Sequence, residues 1–218
     1  MISSTPHGLS RLRVVVILLL GMLMAASFIR PPFPSELILQ HIPTIVGLVL
    51  MVGATRAVWM TNVSFYCLST FLLLHIVGAR WIYSFVPYDE WSAAITGQPL
   101  SEQFGWQRNH YDRLVHLASG LLFVPPVSEL TQRRLRISPT DGVFIGIAAV
   151  LAIGAVYEVI EWQIAMAFSP EMAESYNGQQ GDIWDPQKDL ALAGLGAIIS
   201  ACGLSRWQTI AVTQPDSE

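Results

Sequence analysis

Residues 142–168, GVFIGIAAVLAIGAVYEVIEWQIAMAF, decide which kind of fold this chain can adopt. A bilayer core of about 30 Å is crossed by roughly 20 apolar residues in an α-helix, and this stretch exceeds that length. Its charged residues are Glu158 and Glu161, which both lie well inside the apolar run. The stretch therefore predicts a transmembrane helix that carries two acidic side chains into the membrane.

The composition of the whole chain is that of a membrane protein. Of its 218 residues, 52% are hydrophobic and 13% are charged, a balance that ordinary soluble domains do not show. Five further stretches approach the length of a span: 12–30, 37–54, 62–86, 109–130 and 187–205. The connections 87–108 and 169–186, rich in turn-forming and polar residues, are predicted to be loops. We expect an all-α polytopic bundle of about six transmembrane helices, with residues 1–218 forming a single integral membrane domain.

Basic residues predict the orientation of the chain, because short cytoplasmic loops are enriched in Lys and Arg. With the N-terminus inside, the cytoplasmic side collects seven of the 12 basic residues: Arg11, Arg13, Arg56, Arg133, Arg134, Arg136 and Arg206. We therefore expect both termini to be cytoplasmic. The formal charge is −4 and no Lys/Arg run of the kind that binds nucleic acid is present, so the expected partner is the lipid bilayer and not nucleic acid.

This topology places several ionisable side chains in one layer near the outer surface. Residues three or four positions apart share a helix face, and three such pairs occur: Asp112 with His116, Glu158 with Glu161, and Asp185 with Asp189. Ionisable groups inside a span are costly and usually face a partner or a cavity. Carboxylates and imidazoles on neighbouring helices can converge on a metal ion, as they do in helical bundles. The pattern predicts an outward-facing acidic pocket.

Roles can be assigned to the residues of this pocket as hypotheses. The candidate catalytic residues are Glu158, Glu161, His116 and Asp112, and the candidate ligands of a divalent metal ion are His116, Glu158, Glu161 and Asp189. Candidate substrate-binding residues are Arg113, Tyr111 and Trp162, with Arg113 placed to bind an anionic head group.

Simpler structural roles compete with these hypotheses. Asp185 is followed by Pro186, and an acidic N-cap before a proline at the first helical position is a typical helix start. Asp182 lies in a predicted loop, where a carboxylate is readily solvated. Arg113 is expected to be able to pair with either membrane glutamate, which would make the charges a structural ion-pair network.

Three motifs resemble the YjdF-like family of bacterial inner-membrane proteins. They are RNHYDRLVH at 108–116, EVIEW at 158–162 and GQQGDIWDPQKD at 178–189. The resemblance covers most of the chain. It implies a multi-pass protein of the bacterial inner (plasma) membrane and does not imply any particular reaction.

A more distant resemblance is to VanZ-like membrane proteins. Their pattern is Asp-basic-x-x-His, then Glu with a polar residue three positions later, then Asp and Asn four apart, and the three pairs above are similar to it. The chain departs from that pattern in carrying Glu161 where Gln is usual and Asp189 where Asn is usual. Two extra acids make the pocket more anionic, which favours a cation and argues against carrying over a VanZ-like role.

The sequence leaves three functions open. The first is a metal-dependent enzyme or binding protein for a lipid-linked or envelope substrate at the outer face. The second is a small proton-coupled transporter in which the same carboxylates titrate. The third is a structural membrane protein whose buried charges only hold helices together. The sequence does not decide whether the protein is an enzyme.

Overall fold

The computed structural model describes residues 8–57, 60–167 and 179–213, with side chains described as far as residue 204. The helices in these ranges are α1 (Arg11–Ser27), α2 (Pro34–Arg56), α3 (Asn62–Arg80), α4 (Tyr88–Thr96), α5 (Leu100–Phe104), α6 (Tyr111–Leu135), α7 (Pro139–Ala167) and α8 (Asp185–Thr213). No strand occurs in the described ranges, and the prediction of an all-α fold is confirmed.

Each of the six predicted spans coincides with a long helix. Among the described residues, α2, α3, α6 and α7 are long and apolar enough to cross a membrane. The helix α1 is shorter, at 17 residues, and α8 opens with the polar sequence DPQKD. Four spans are therefore supported by length and composition, and a total of about six stays a prediction.

The structure differs from the prediction at the end of the third span and in the connection that follows it. The helix α3 ends at Arg80 rather than near residue 86. Ile82 and Tyr83 adopt left-handed backbone angles, with φ of 43° and 57°, which turn the chain out of the helix. The predicted loop 87–108 contains the short helices α4 and α5, each of which ends at a left-handed glycine.

Two groups of helices make up the bundle. The helix α3 packs against α1 and α2, and α6 packs against α7 and α8. Contact between α3 and α6 joins the two groups. Phe65 and Met51 are fully buried in the core of the first group, and Val124 and Ala197 in the core of the second. The end of the bundle where α6 and α8 begin also carries α4 and α5, and is called the α4–α5 end below.

The backbones of α6 and α8 touch because small residues face each other. A Cβ atom added to Gly120 would lie 2.0 Å from the carbonyl oxygen of Ala193, and one added to Gly196 would lie 2.2 Å from that of Leu117. Only glycine fits where backbones approach this closely.

A buried carboxylate at the opposite end of the bundle stabilises the start of α3. Glu129, on α6, accepts hydrogen bonds from the backbone N–H of Thr61 at 2.9 and 3.1 Å and from the hydroxyls of Thr61 and Ser64. Arg133 binds the same carboxylate, with Nη2 2.8 Å from Oε1. An acid placed at a helix N-terminus satisfies unpaired N–H groups and the helix dipole. This contact fixes α3 against α6.

Candidate metal centre

Three ligand-type side chains converge between α6 and α8. One ligand atom each from Asp112, His116 and Asp189 all lie within 4.8 Å of one another. Asp112 and His116 are one turn apart on α6, and the close approach of α8 brings Asp189 to the same level. Three of the residues predicted from the sequence are therefore neighbours in the structure.

Glu158 approaches this cluster from α7. His116 Nε2 is 3.7 Å from a carboxylate oxygen of Asp112 and 3.7 Å from Glu158 Oε1. Both distances are too long for hydrogen bonds. The His116 ring is therefore not hydrogen-bonded to either carboxylate, and each of the three side chains could turn toward a common bound ion. The imidazole thus lies between carboxylates from two different helices.

Two oxygens of the cluster are buried without a hydrogen-bond partner. The Asp189 side chain is only 2% exposed, and its Oδ1 accepts no hydrogen bond. Glu158 Oε1 is likewise buried without a hydrogen-bond partner. Most buried polar atoms are satisfied in native structures, so unsatisfied carboxylate oxygens point to a missing partner. A bound cation is one partner that such a carboxylate oxygen could have.

Glu161 lies about 4.5 Å further along α7 than Glu158, toward the α4–α5 end. It lines a smaller cavity of about 240 Å³ together with Glu158, Trp162 and Asp185. The group of three ligands includes neither Glu158 nor Glu161, and the predicted roles of both as metal ligands stay predictions.

A network of ion pairs covers the cluster at the α4–α5 end. Arg108 Nη1 and Nη2 donate to the two carboxylate oxygens of Asp185 at 2.6 and 3.0 Å, a bidentate pair. Arg108 also donates to the backbone carbonyl of Gln179 at 3.1 Å. Asp185 is the first residue of α8, where the sequence predicted a capping role, and its carboxylate binds Arg108. The loop before α8 is thereby tied to the start of α6.

Arg113, for which pairing with a membrane glutamate was one alternative, forms its salt bridges with the loop before α8 and with the first residue of α8. Arg113 Nη2 lies 2.7 Å from Asp182 Oδ2 and 3.3 Å from Asp185 Oδ1. The loop before α8 lies over the N-terminal turn of α6, so its carboxylate is close to Arg113. Asp182 is therefore not merely solvated, since Lys188 Nζ also donates to it at 2.6 Å. The hydrogen bond from Lys188 is the main cause that lowers the pKa of Asp182 from 3.8 to about 2.

The two remaining predicted substrate-binding residues lie in different surroundings. Tyr111 is buried among Tyr83, Val86 and Val115, and its hydroxyl donates to the carbonyl of Leu74 at 2.9 Å. Trp162 is 60% exposed on α7 and lines the smaller cavity. Tyr111 thus packs helices together, whereas Trp162 lies at the edge of the site.

Sequence reasoning missed two features of the site. Arg108 was not selected as a site residue, although a basic side chain just before α6 and facing an acid-rich loop was a usable signal. The second feature is a cavity of about 950 Å³ between α2, α3, α6 and α7, lined at one end by Asp112 and His116. A cavity formed by four helices leaves no local signal in the sequence.

Comparisons with known proteins agree that this is a membrane protein. The family described as "Predicted membrane protein (DUF2238)" matches residues 12–209. "Inner membrane protein YjdF" of Escherichia coli (strain K12) is 30% identical over 171 residues, which cover 78% of each chain. This relative and the membrane-spanning helices support an inner-membrane location. No solved structure matches, and the resemblance to VanZ-like proteins stays a prediction. The chain belongs to the DUF2238 family of predicted membrane proteins.

Proposed function

We propose that this inner-membrane protein binds a divalent cation through Asp112, His116 and Asp189, with Glu158 as a further ligand. The cation engages a lipid-linked or envelope ligand at the outer face of the membrane. The observation that carries the proposal is the convergence of the three ligand atoms within 4.8 Å, beside a carboxylate oxygen of Asp189 that is buried and unsatisfied.

The separation of the ligand atoms suits an ion. Two ligands on opposite sides of a metal are separated by twice the metal–ligand distance, about 4.4 Å for a zinc-sized ion and about 5.2 Å for calcium. The three ligand atoms all lie within 4.8 Å of one another, so no pair is separated by much more than these distances. Little movement of the side chains is needed to close them around an ion.

Charge supports a cation over a purely structural ion-pair network. Among the described residues, the salt bridges of Arg113 are with Asp182 and Asp185. Neither Lys nor Arg forms a salt bridge with Glu158 or Asp189 in that part of the chain. Buried carboxylates without a compensating charge are unfavourable, and a divalent ion compensates several of them at once.

The donor set indicates the chemistry of the site. One imidazole with several carboxylates suits ions such as Mn²⁺, Fe²⁺ or Zn²⁺. An ion held by these residues would supply Lewis-acid chemistry toward a phosphoryl or carbonyl oxygen of a bound ligand. Glu161, beside the smaller cavity, is placed to exchange a proton with such a ligand. The transporter hypothesis gains no support, because the larger cavity has an apolar lining beyond the Asp112 end.

Metal content tests the proposal. The full-length protein is purified in detergent without chelators, and divalent metals are measured by inductively coupled plasma mass spectrometry. We expect a stoichiometric ion in the native protein and its loss in Asp189→Asn and in the Glu158→Gln/Glu161→Gln double variant. Glu102→Gln, at an exposed position on α5, is the matched control and retains the ion. Equal, negligible metal in all four proteins would remove the cation from the proposal.

The outward direction of the site is part of the proposal and rests on the distribution of arginines. Both termini are then cytoplasmic, although residues 1–7 and 214–218 lie outside the described residues. Single cysteines introduced at Ser101 in α5 and at Ser138 before α7 test it in a background lacking Cys67 and Cys202. We expect a membrane-impermeant maleimide to label the first position in intact cells. Labelling of the cysteine at position 138 alone would show that the protein has the opposite orientation in the membrane.

A further inference from the structure

We propose that the large cavity beside the metal centre binds the hydrocarbon tail of the ligand, and that this tail is longer than one leaflet of the bilayer. The ligand class is the phosphate ester of a long-chain polyisoprenoid alcohol. The inference rests on the proposed function, because the phosphate is held through the divalent cation.

The cavity follows most of the length of α6. Its wall on that helix begins at Asp112 and His116 and continues through Phe123 and Val127 to Leu130. From Asp112 to Leu130 the helix rises about 27 Å, at about 1.5 Å per residue. The opposite wall is formed by α2 from Pro43 onward and by Ala57, which directly follows the helix.

This length separates the occupant from an ordinary phospholipid. The hydrocarbon core of a bilayer is about 30 Å thick, so one leaflet contributes about 15 Å. The tail of an ordinary lipid anchored at Asp112 ends near the midplane and follows only about half of the length of the cavity. A chain that fills about 27 Å must extend across the midplane into the opposite leaflet.

The width of the cavity suits one or two hydrocarbon chains. A volume of about 950 Å³ over about 27 Å corresponds to a mean cross-section of about 35 Å². Non-bonded carbon atoms pack about 3.5–4.0 Å apart, so this section takes one or two hydrocarbon chains side by side.

The polarity of the lining defines which end receives the head group. Polar side chains on α6 line the cavity at Asp112, His116 and Ser119, and Tyr157 of α7 lines the same end. Beyond Ser119, the lining from α6 and α2 is apolar as far as Leu130 and Ala57. An amphiphile therefore enters with its polar group at the metal centre and its tail along α6 and α2.

The chemistry of the metal centre determines how the head group binds. Asp112, Glu158 and Asp189 are carboxylates, which repel a phosphate in the absence of a cation. A divalent ion shared between these carboxylates and the phosphate converts repulsion into attraction. Binding of the lipid is therefore expected to depend on the metal as well as on the length of the tail.

Binding measurements on the purified full-length protein in detergent test the inference. The probes are undecaprenyl phosphate and farnesyl phosphate, which share the head group and differ in chain length, each with Mn²⁺ or with EDTA. Native mass spectrometry measures the bound fraction. We expect the long chain to bind at least about tenfold more tightly than the short one, and both to require Mn²⁺.

A variant in the far half of the cavity tests where the tail lies. Val127 is about 22 Å along α6 from Asp112, so Val127→Phe narrows the cavity beyond the reach of the short chain. We expect it to abolish most of the chain-length preference while farnesyl phosphate and Mn²⁺ bind as before. Val156→Phe, at an exposed position of α7 outside the lining, is the matched control. Leu50→Trp on the opposite wall replaces Val127→Phe if the latter does not fold.

The outcomes separate this inference from the proposed function. If the native protein does not bind Mn²⁺, both the proposed function and this inference are wrong. Normal Mn²⁺ binding with equal affinity for the two lipids overturns the inference alone. If folded Val127→Phe or Leu50→Trp still prefers the long chain to the same extent, the tail lies outside the cavity and the inference is wrong.

Discussion

Gly120 on α6 contacts the backbone of Ala193 on α8 so closely that an added Cβ atom would lie 2.0 Å from the Ala193 carbonyl oxygen. His116 is four residues before Gly120, and Asp189 is four residues before Ala193. His116 and Asp189 therefore lie one helical turn from the contact and at the same level, and both side chains are of a type that binds metal ions. The close approach of the backbones is what brings these ligands together.

Replacing Gly120 with alanine tests this relationship. The new Cβ forces α6 and α8 apart, which we expect to destabilise the protein by about 1–3 kcal/mol and to weaken Mn²⁺ binding at least about tenfold. Gly21→Ala, where no atom lies within 4 Å of the added Cβ, is the control and leaves both properties nearly unchanged. Thermal unfolding and Mn²⁺ titration measure them. Unaltered Mn²⁺ affinity in Gly120→Ala would show that the helix contact does not position the ligands.

Glu129 predicts an effect on stability that is independent of the site. Glu129→Gln removes the charge that binds Arg133 and accepts hydrogen bonds from Thr61 and Ser64. We expect a loss of about 2–3 kcal/mol in unfolding free energy, because charge-assisted hydrogen bonds in a buried setting are lost together. Metal content should not change, since Glu129 lies about 25 Å along α6 from Asp112. Metal loss in a folded Glu129→Gln protein would contradict this separation.

The bidentate pair between Arg108 and Asp185 predicts a difference between two basic side chains. Lysine keeps the charge but cannot form two parallel hydrogen bonds, so Arg108→Lys should loosen the loop before α8. We expect faster hydrogen exchange over residues 179–185 and a loss of about 1–2 kcal/mol. Arg136→Lys, at an exposed position after α6, serves as the control. Equal exchange rates in the two variants would show that the pair does not hold the loop.

The lowered pKa of Asp182 predicts a dependence on acid pH. Its folded pKa of about 2 is below the ordinary value of 3.8, so the ionised form is favoured by folding. The resulting stability is present above about pH 4 and is lost as the pH falls toward 2. Thermal unfolding of the native protein and of Asp182→Asn between these pH values measures it. We expect the difference between them to shrink with acid; a constant difference would mean that Asp182 does not contribute through its charge.

Local sequence patterns were sufficient where local physics decides the structure. Apolar runs located the long helices, because a span needs about 20 apolar residues whatever its neighbours are. Spacings of three and four residues identified the pairs around His116 and Glu158, because helix geometry alone puts such residues on one face. The end of α3 was placed too late, since the residues after Arg80 are apolar and only their backbone angles end the helix.

The partner of Arg113 could not be predicted in the same way. The apolar sequence around Arg113 suggested the membrane glutamates as its partners. In the structure its partners are Asp182, in the loop before α8, and Asp185, at the start of that helix. Which charge reaches an arginine depends on the path of a loop that carries no periodic pattern. The role of Glu129 was hidden for the same reason, because its partners at Thr61 and Ser64 are far away in the chain.

The sequence by itself determined that this is an all-α membrane protein with acidic and histidine side chains on three of its helices. Hydropathy and helical spacing are local properties of the sequence, so they are sufficient to predict these features. The tertiary structure alone decided that Asp112, His116 and Asp189 share one site, that the arginines bind Asp182 and Asp185, and that a long cavity adjoins the cluster. Each of these depends on how closely and in which register helices distant in the chain pack, and that register is set by contacts such as Gly120 against Ala193.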